Sequence, residues 1–354
     1  MARSHYYIHG EGCAYVPQLS KTLLTIQMRG VWRVRYNPNE DIKVDRTERD
    51  DYPFDDLLES YKKSTYAWQP EDEDKILRVT KSSLGTFGFC AKQYEFQNIM
   101  KLPTEEKDHH VRGNNVHDFT EYFFEQMYEH YDDVMELIEQ GETEKARDLM
   151  HSVIPTPPEP YQYGEPEQIT TWVDWQFNRL LACEGENWFP AGNEAEVHGS
   201  RVVEVKNDEG ETVNVPIHMR GFIDRIFEDG EGGFALMELK TGKWKTRKSS
   251  DMRAEMQFYK MMLENSPHGE FLPITHWGWE FPGGNINEGD GKHWDYQSVN
   301  DRSAKNTPAV VERRLKKLVK AHLDKSFPAS RNEFKCAWCD FLDICPAWTL
   351  EELE

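Results

Sequence analysis

The sequence predicts an α/β (α+β) fold, and three stretches carry that prediction. Helix-patterned segments dominate from Ser82 to about residue 193. Strand patterns take over to about residue 240, and a helix followed by a strand returns between about 251 and 281. The 354 residues suffice for one large domain with insertions or for two domains. A hydrophobic content of 38%, with 12% aromatics and 11 Trp, fits a packed core rather than a disordered chain. A formal charge of -21 argues against a general nucleic-acid coat protein, whose binding rests on Lys and Arg neutralising phosphates. Basic residues focused along one groove stay compatible with it. The first thirty residues hold no signal-peptide run and no stretch approaches a membrane span, so a cytoplasmic, reducing location is expected. There, six cysteines read as thiols or metal ligands rather than disulfides.

Residues 1–80 contain a strand-like WRVRYNP and an acidic, helix-like FDDLLESYKKS, with no recognisable chemistry; an extension or subdomain is expected. SSLGTFGFCAKQYEFQNIMKLP predicts a helix that contains Cys90 and ends before Pro103. A second helix begins near Gly113 to Asn115. Its apolar stripe is Val116, Phe119, Phe123 and Met127, and His117 borders the stripe as a structural or a ligating histidine. Residues 129–193 read as an insertion: an acidic helix, a proline-rich linker and the amphipathic ITTWVDWQFNRLLA. EAEVHG and RVVEVKN predict a hairpin, and VNVPIHM leads into the next strands. DMRAEMQFYKMMLEN predicts a helix, FLPITHWGWEF a core strand and WDYQSV a short one; 349–354 is an acidic tail. Trp277, Trp279, Trp294 and Tyr296 fit core or hairpin pairs, with base stacking as the alternative.

The stretch Arg220–Lys243, RGFIDRIFEDGEGGFALMELKTGK, predicts two strands joined by an Asp-Gly and Gly-Gly turn. Alternation puts Phe222, Asp224 and Ile226 on one face of the first strand. It puts Phe234, Leu236, Glu238 and Lys240 on one face of the second. If the two mixed faces coincide, Asp224 and Glu238 repel unless a cation lies between them. Mg²⁺ or Mn²⁺ meets that need with one or two carboxylates, water and phosphate oxygens. Lys240 can then hold or deprotonate a water beside the metal. A surface hairpin with scattered charges shows the same pattern.

The Asp, turn, Glu-x-Lys arrangement resembles the PD-(D/E)xK nuclease superfamily, with GFIDRI and MELKTG standing for its catalytic strands. The resemblance implies a restriction-endonuclease-like central mixed β-sheet flanked by helices, and metal-dependent hydrolysis of phosphodiesters. It implies that Asp224, Glu238, the backbone carbonyl of Leu239 and, as in RecB-like members, the helix-borne His117 hold one or two Mg²⁺ or Mn²⁺ ions. Lys240 would position or activate water. Glu196 resembles a further strand glutamate of RecB-like relatives, with a solvent-facing glutamate as the alternative. Those relatives also carry a helix glutamine followed four residues later by tyrosine. Gln257 resembles it, although position 261 is Met and the nearest tyrosine is Tyr259.

KCAWCDFLDICP places Cys336, Cys339 and Cys345 in a Cys-x2-Cys-x5-Cys arrangement, which reads as metal ligands in need of a fourth partner. Cys90 is the leading candidate; Cys13 and Cys183 read as plain thiols. One distant upstream cysteine and a clustered trio is similar to the iron-sulfur RecB-like exonucleases, the CRISPR-associated Cas-four type among them. That resemblance implies a 4Fe-4S cluster clamping the two ends of a nuclease domain at 81–348; a structural Zn²⁺ is the alternative. Basic residues cluster at Lys243, Lys245, Arg247, Lys248 and Arg253, and again at Arg313, Arg314, Lys316, Lys317 and Lys320. They are expected to line a DNA path, with a solvated surface as the alternative. The expected function is a single-strand or DNA-end exonuclease in recombination or repair, CRISPR adaptation or viral DNA processing. The runner-up is a DNA-binding subunit of a larger assembly, its protein partner docking on residues 1–80 or on the insertion.

Overall fold

The computed structural model describes residues 76–104, 108–153, 164–242, 248–266, 269–283 and 294–349. The expectations for residues 1–75, Cys13 included, and for Lys243, Lys245 and Arg247 lie outside the described residues.

The fold is built on one long antiparallel ribbon. β2 (Gly192–Lys206) and β3 (Thr212–Glu228) stay in register from Lys206↔Thr212 to Gly192↔Ile226. The side-chain oxygen of Asn207 closes the turn between them by accepting from the N–H groups of Glu209 and Glu211. The hairpin expected between EAEVHG and RVVEVKN therefore does not form. Gly199, which ends the first of these two stretches, stays extended within β2. A Cβ there would come within 2.3 Å of the Met262 carbonyl oxygen, so the glycine permits a close helix approach.

β1 (Leu77–Val79) runs parallel to β3, and β4 (Phe234–Leu239) antiparallel to it. β4 then pairs in parallel with β5 (Ile274–Glu280), and β5 antiparallel with β6 (Trp294–Ser298). The result is a six-stranded mixed sheet, as expected. The β3–β4 turn is held by Asp229, whose carboxylate accepts from the N–H groups of Glu231 and Gly233.

α1 (Lys81–Phe89) opens on a capping box between Thr80 and Ser83. The single helix expected here is in fact broken at Cys90, which is extended (φ -158°, ψ 121°) between α1 and the short helix Ala91–Tyr94. Gly85 and Gly88 weaken α1 just before the break. α2 (Asp108–Glu139) runs 32 residues, so the boundary expected at 129 falls inside one continuous helix. Among the described residues, α3 (Thr143–Ser152), α4 (Glu165–Ala182), α5 (Ser249–Glu264) and α6 (Thr307–Leu323) complete the set of longer helices. Among the described residues, no helix is long and apolar enough to cross a membrane.

Helices lie on both sides of the sheet, and the alternation of β4 separates two cores. Leu236 joins Leu84, Met256, Phe258, Met262, Val311 and Leu315 of α1, α5 and α6. Leu239 joins Phe123 and Phe124 of α2 with Trp172 and Phe177 of α4, so the stretch expected as an insertion supplies much of the second core. Trp277 and Trp279 are fully buried in the first core and are not available to stack bases. Tyr296 stacks on His276, with ring centroids 4.9 Å apart.

A buried polar knot fastens the second layer. Arg225, 1% exposed, donates to Glu280 Oε2 at 3.0 Å, and Trp172 Nε1 donates to the same oxygen at 2.9 Å. Gln176 Nε2 reaches Glu280 Oε1 at 3.2 Å. Removing one member of such a pair strands a charge away from water. Glu280→Ala is expected to destabilise the fold by about 3–5 kcal/mol, read as a lower denaturant midpoint. The double substitution Arg225→Met with Glu280→Leu should recover most of the loss, and equal loss in both variants would refute the stranded-charge account.

Candidate active site

The site grows from one rung of the sheet. Continuing the register one residue past Arg225↔Met237 sets Asp224 across from Glu238, as the two mixed faces of the hairpin required. Asp224 Oδ2 accepts the Leu239 N–H at 2.6 Å, so a carboxylate replaces a ladder carbonyl. Strand β3 also changes sides here: Ile223 packs in the first core, whereas Arg225 reaches Glu280 in the second layer. Opposite Asp224 on β2, Glu194 adopts a left-handed φ of 43°, uncommon outside glycine. Its carboxylate reaches α2, where His117 Nδ1 lies 3.6 Å from Glu194 Oε1 and 3.5 Å from Asp224 Oδ2. One ligand atom from each of the three residues lies within 4.8 Å of the other two. An imidazole with carboxylate oxygens is a donor set for Mg²⁺ or Mn²⁺.

Glu238 is held by two lysines. Lys240 Nζ lies 2.9 Å from Glu238 Oε1 and 2.9 Å from Glu255 Oε2, and Lys81, the first residue of α1, donates to the same Glu238 oxygen. Glu238 Oε2 is buried without a hydrogen-bond partner, a free acceptor that suits a cation. Burial alone would raise the Glu238 carboxyl, but Lys240 and Lys81 together hold it well below the usual range. Asp224 lacks a lysine of its own, and burial with the Glu238 charge pushes it up to about 6. Burial pulls His117 down, yet the charges of Asp224 and Glu194 leave it raised. Lys240 is likewise raised: burial is outweighed by Glu238 and Glu255, so it stays protonated at neutral pH.

These groups line one cleft of about 710 Å³ with His117, Leu239, Glu255, Tyr259, Arg220 and Phe222. Two expected residues lie elsewhere. Gln257 is buried but does not line the cleft; the four-residue spacing on α5 is met instead by Glu255 and Tyr259, and Gln257 lies about 200° around the helix from Glu255. Glu196 pairs with Arg220 and His198, and Glu194 stands beside the histidine in its stead. Glu194 was findable only by extending the β2–β3 register to the residue facing Asp224. No local pattern marks Lys81 beyond its place at a helix start.

Of the basic residues, Lys248 lines the cleft. Arg253 and the five of α6 do not, because they face other surfaces and in part acids. Arg314 binds Asp251, Lys320 binds Asp208 and Asp324, and Lys316 Nζ stands 4.0 Å from Glu312; Arg313 and Lys317 are exposed.

Cys90, Cys336, Cys339 and Cys345 line a second, smaller cavity. Burial raises the Cys339 thiol, and the other three lie near enough to add to that effect. No three of their sulfurs come within 4.8 Å of one another. Cys183 lies apart, its thiol 3.7 Å from the Leu180 carbonyl.

The electrostatics of Asp224 make a pH prediction. Its folded-state value lies above the ordinary 3.8, so the group favours folding fully below about pH 4 and ceases to as the pH rises through about 6. Metal-free Asp224→Asn should therefore be more stable than wild type at pH 7, on the order of 1–3 kcal/mol. It should also lose the stabilisation that Mg²⁺ or Mn²⁺ gives wild type. Thermal melts with chelator and with metal read both, and a metal-free variant less stable than wild type at pH 7 would contradict the assignment.

A family model of the PD-(D/E)XK nuclease superfamily matches residues 78–346. No curated protein gives a significant match. Among solved structures, the crystal structure of SSO0001 is similar over 82% of this chain and 94% of its own, at 12% identity and a TM-score of 0.32. The family match spans every residue of the cleft and well over half of the sequence: the chain belongs to the PD-(D/E)XK nuclease superfamily.

Proposed function

We propose that the protein is a RecB-like, Mg²⁺- or Mn²⁺-dependent exonuclease acting on single-stranded DNA or DNA ends. The observation that carries this reading is the convergence of His117, Asp224, Glu238 and Lys240 on one cleft, with the Glu194 carboxylate beside His117 and Asp224. His117, Glu194, Asp224 and Glu238, with the Leu239 carbonyl, would hold the ion. When bound, it polarises the scissile phosphodiester and offsets the negative charge of its transition state. Lys240, protonated and braced between Glu238 and Glu255, donates a hydrogen bond that orients water or phosphate rather than accepting a proton. Lys81 keeps Glu238 ionised, and Lys248 offers a cation to the phosphates entering the cleft. The preference for single strands or ends rests on the resemblance to RecB-like iron-sulfur exonucleases, as does a place in recombination, repair, CRISPR adaptation or viral DNA processing.

End-labelled single- and double-stranded DNA with Mg²⁺ or Mn²⁺ tests the reading. Wild type should degrade it, chelator should stop it, and Lys240→Ala should cost on the order of a hundredfold. Lys81→Met should lower activity most at acid pH, where Glu238 without its second lysine begins to protonate. Intact substrate with the wild-type protein would refute the catalytic reading.

The same reading gives the four cysteines a 4Fe-4S cluster. Four thiols on one cavity form a suitable donor set. No three of the sulfurs come within 4.8 Å of one another, whereas zinc at 2.3 Å from each would bring all four to ~3.8 Å. Cys90→Ser should lose iron and acid-labile sulfide while Cys183→Ser retains both. A colourless wild-type protein with stoichiometric zinc would decide for zinc.

A further inference from the structure

Beside the cleft, the β2–β3 ribbon turns one face outward. From residue 213 to 222, β3 alternates between buried or half-buried odd residues and more exposed even ones. That outer face carries Phe222, Arg220 and His218, with His198 and Ser200 across from them on β2 and Arg78 beside His218 on β1. Phe222 is 41% exposed, and its ring takes the Arg220 guanidinium at 5.7 Å. His198 Nδ1 lies 3.0 Å from His218 Nε2, and Ser200 Oγ lies 3.0 Å from His218 Nδ1. Between the Glu196–Phe222 and Val202–Pro216 rungs, Glu196 is the single carboxylate on this face, paired with Arg220 and His198, in a chain of formal charge -21; a phosphate would share Arg220 with it. Arg220 and Phe222 also line the cleft, so the face and the candidate metal site are one continuous surface.

We propose that this face is the binding track for a single nucleic-acid strand leaving the cleft, with an unpaired base stacked on Phe222 and phosphates held by Arg220 and Arg78. This names the substrate form for the nuclease reading and rests on it for the occupant of the cleft. The chemistry follows from the residues. An exposed ring edged by a guanidinium offers a flat surface to a base, and every base has a face to give. A duplex hides those faces in its own stack and cannot use the ring. From Phe222 to His218 the strand spans about 13 Å, the length of about four stacked nucleotides. The histidines and Ser200 supply hydrogen-bonding groups along that length. Trp277 and Trp279 of β5 are buried, whereas the Phe222 ring on β3 is open to a base.

Binding separates this proposal from the catalytic one. Full-length protein is titrated into a fluorescent thirty-nucleotide oligothymidylate and a duplex of equal length, with Ca²⁺ in place of Mg²⁺, at several salt concentrations. Phe222→Ala should weaken single-strand binding on the order of tenfold and leave duplex binding unchanged. Arg220→Gln with Arg78→Gln should weaken it with a salt dependence flatter by about two phosphate contacts. The metal-induced rise in melting temperature should persist in all variants and certifies the fold. Unchanged single-strand affinity in folded variants overturns the track even if wild type cleaves DNA. Phe222-dependent binding by a protein that cleaves nothing upholds the track and sinks only the nuclease reading. Equal loss of binding to labelled polyglutamate would assign the face to an acidic peptide and overturn the proposal.

Discussion

Two carboxylates buried on one rung of a sheet are the constraint from which the rest of this structure follows. Asp224 and Glu238 face each other at 6% and 3% exposure, where like charges cannot both remain ionised without nearby cations. Glu238 has its cations in Lys81 and Lys240; Asp224 has an N–H and a raised proton affinity. The rung is asymmetric as a result: one carboxylate is permanently charged and the other waits for positive charge. Lys81 comes from α1, Lys240 from the end of β4 and Glu255 from α5, so three separate elements are positioned by one need for charge balance.

Strand β3 turns that local need into a fold. It is bordered by β2 along nearly its whole length, by β1 at residues 217–219 and by β4 at residues 225–228. Asp224 falls between the last two partners, where the strand passes from an open ribbon into the space between two helical layers. Backbone irregularity collects at that point: Glu194 opposite takes the left-handed φ that lets its carboxylate meet His117. The Arg225–Glu280 knot lies one residue further on and anchors the same rung to α4, so the geometry of the candidate metal site rests on a rigid support on its far side.

Much of this was legible in the sequence, and the failures have physical causes. The hairpin, its turn and the pairing of Asp224 with Glu238 were readable because period-two alternation and turn chemistry are local. His117 was readable as a border residue on an amphipathic helix. Glu194 was not, because the alternation that should describe it is suspended at its own residue. Lys81 and Glu255 were invisible because their partner lies far along the chain, and a lysine or glutamate on a helix surface carries no mark of what it faces. Gln257 resembles the family glutamine by residue type, whereas the α5 residues four apart that line the cleft are Glu255 and Tyr259. The charges of α6 read as a basic stripe because acidic partners such as Asp208 and Asp251 belong to other elements.

The cysteine cavity also says something about when this molecule becomes complete. Lys335 reaches across 246 positions to the Phe89 carbonyl, Phe96 packs on Phe341 and Tyr94 bonds to the buried His322. Each contact joins a segment near residue 90 to one beyond residue 320. A chain emerging from the ribosome at roughly 5–20 residues per second must hold the Cys90 segment without these partners until residues 322–341 appear. The cavity that unites the four cysteines cannot close before residue 345 has emerged.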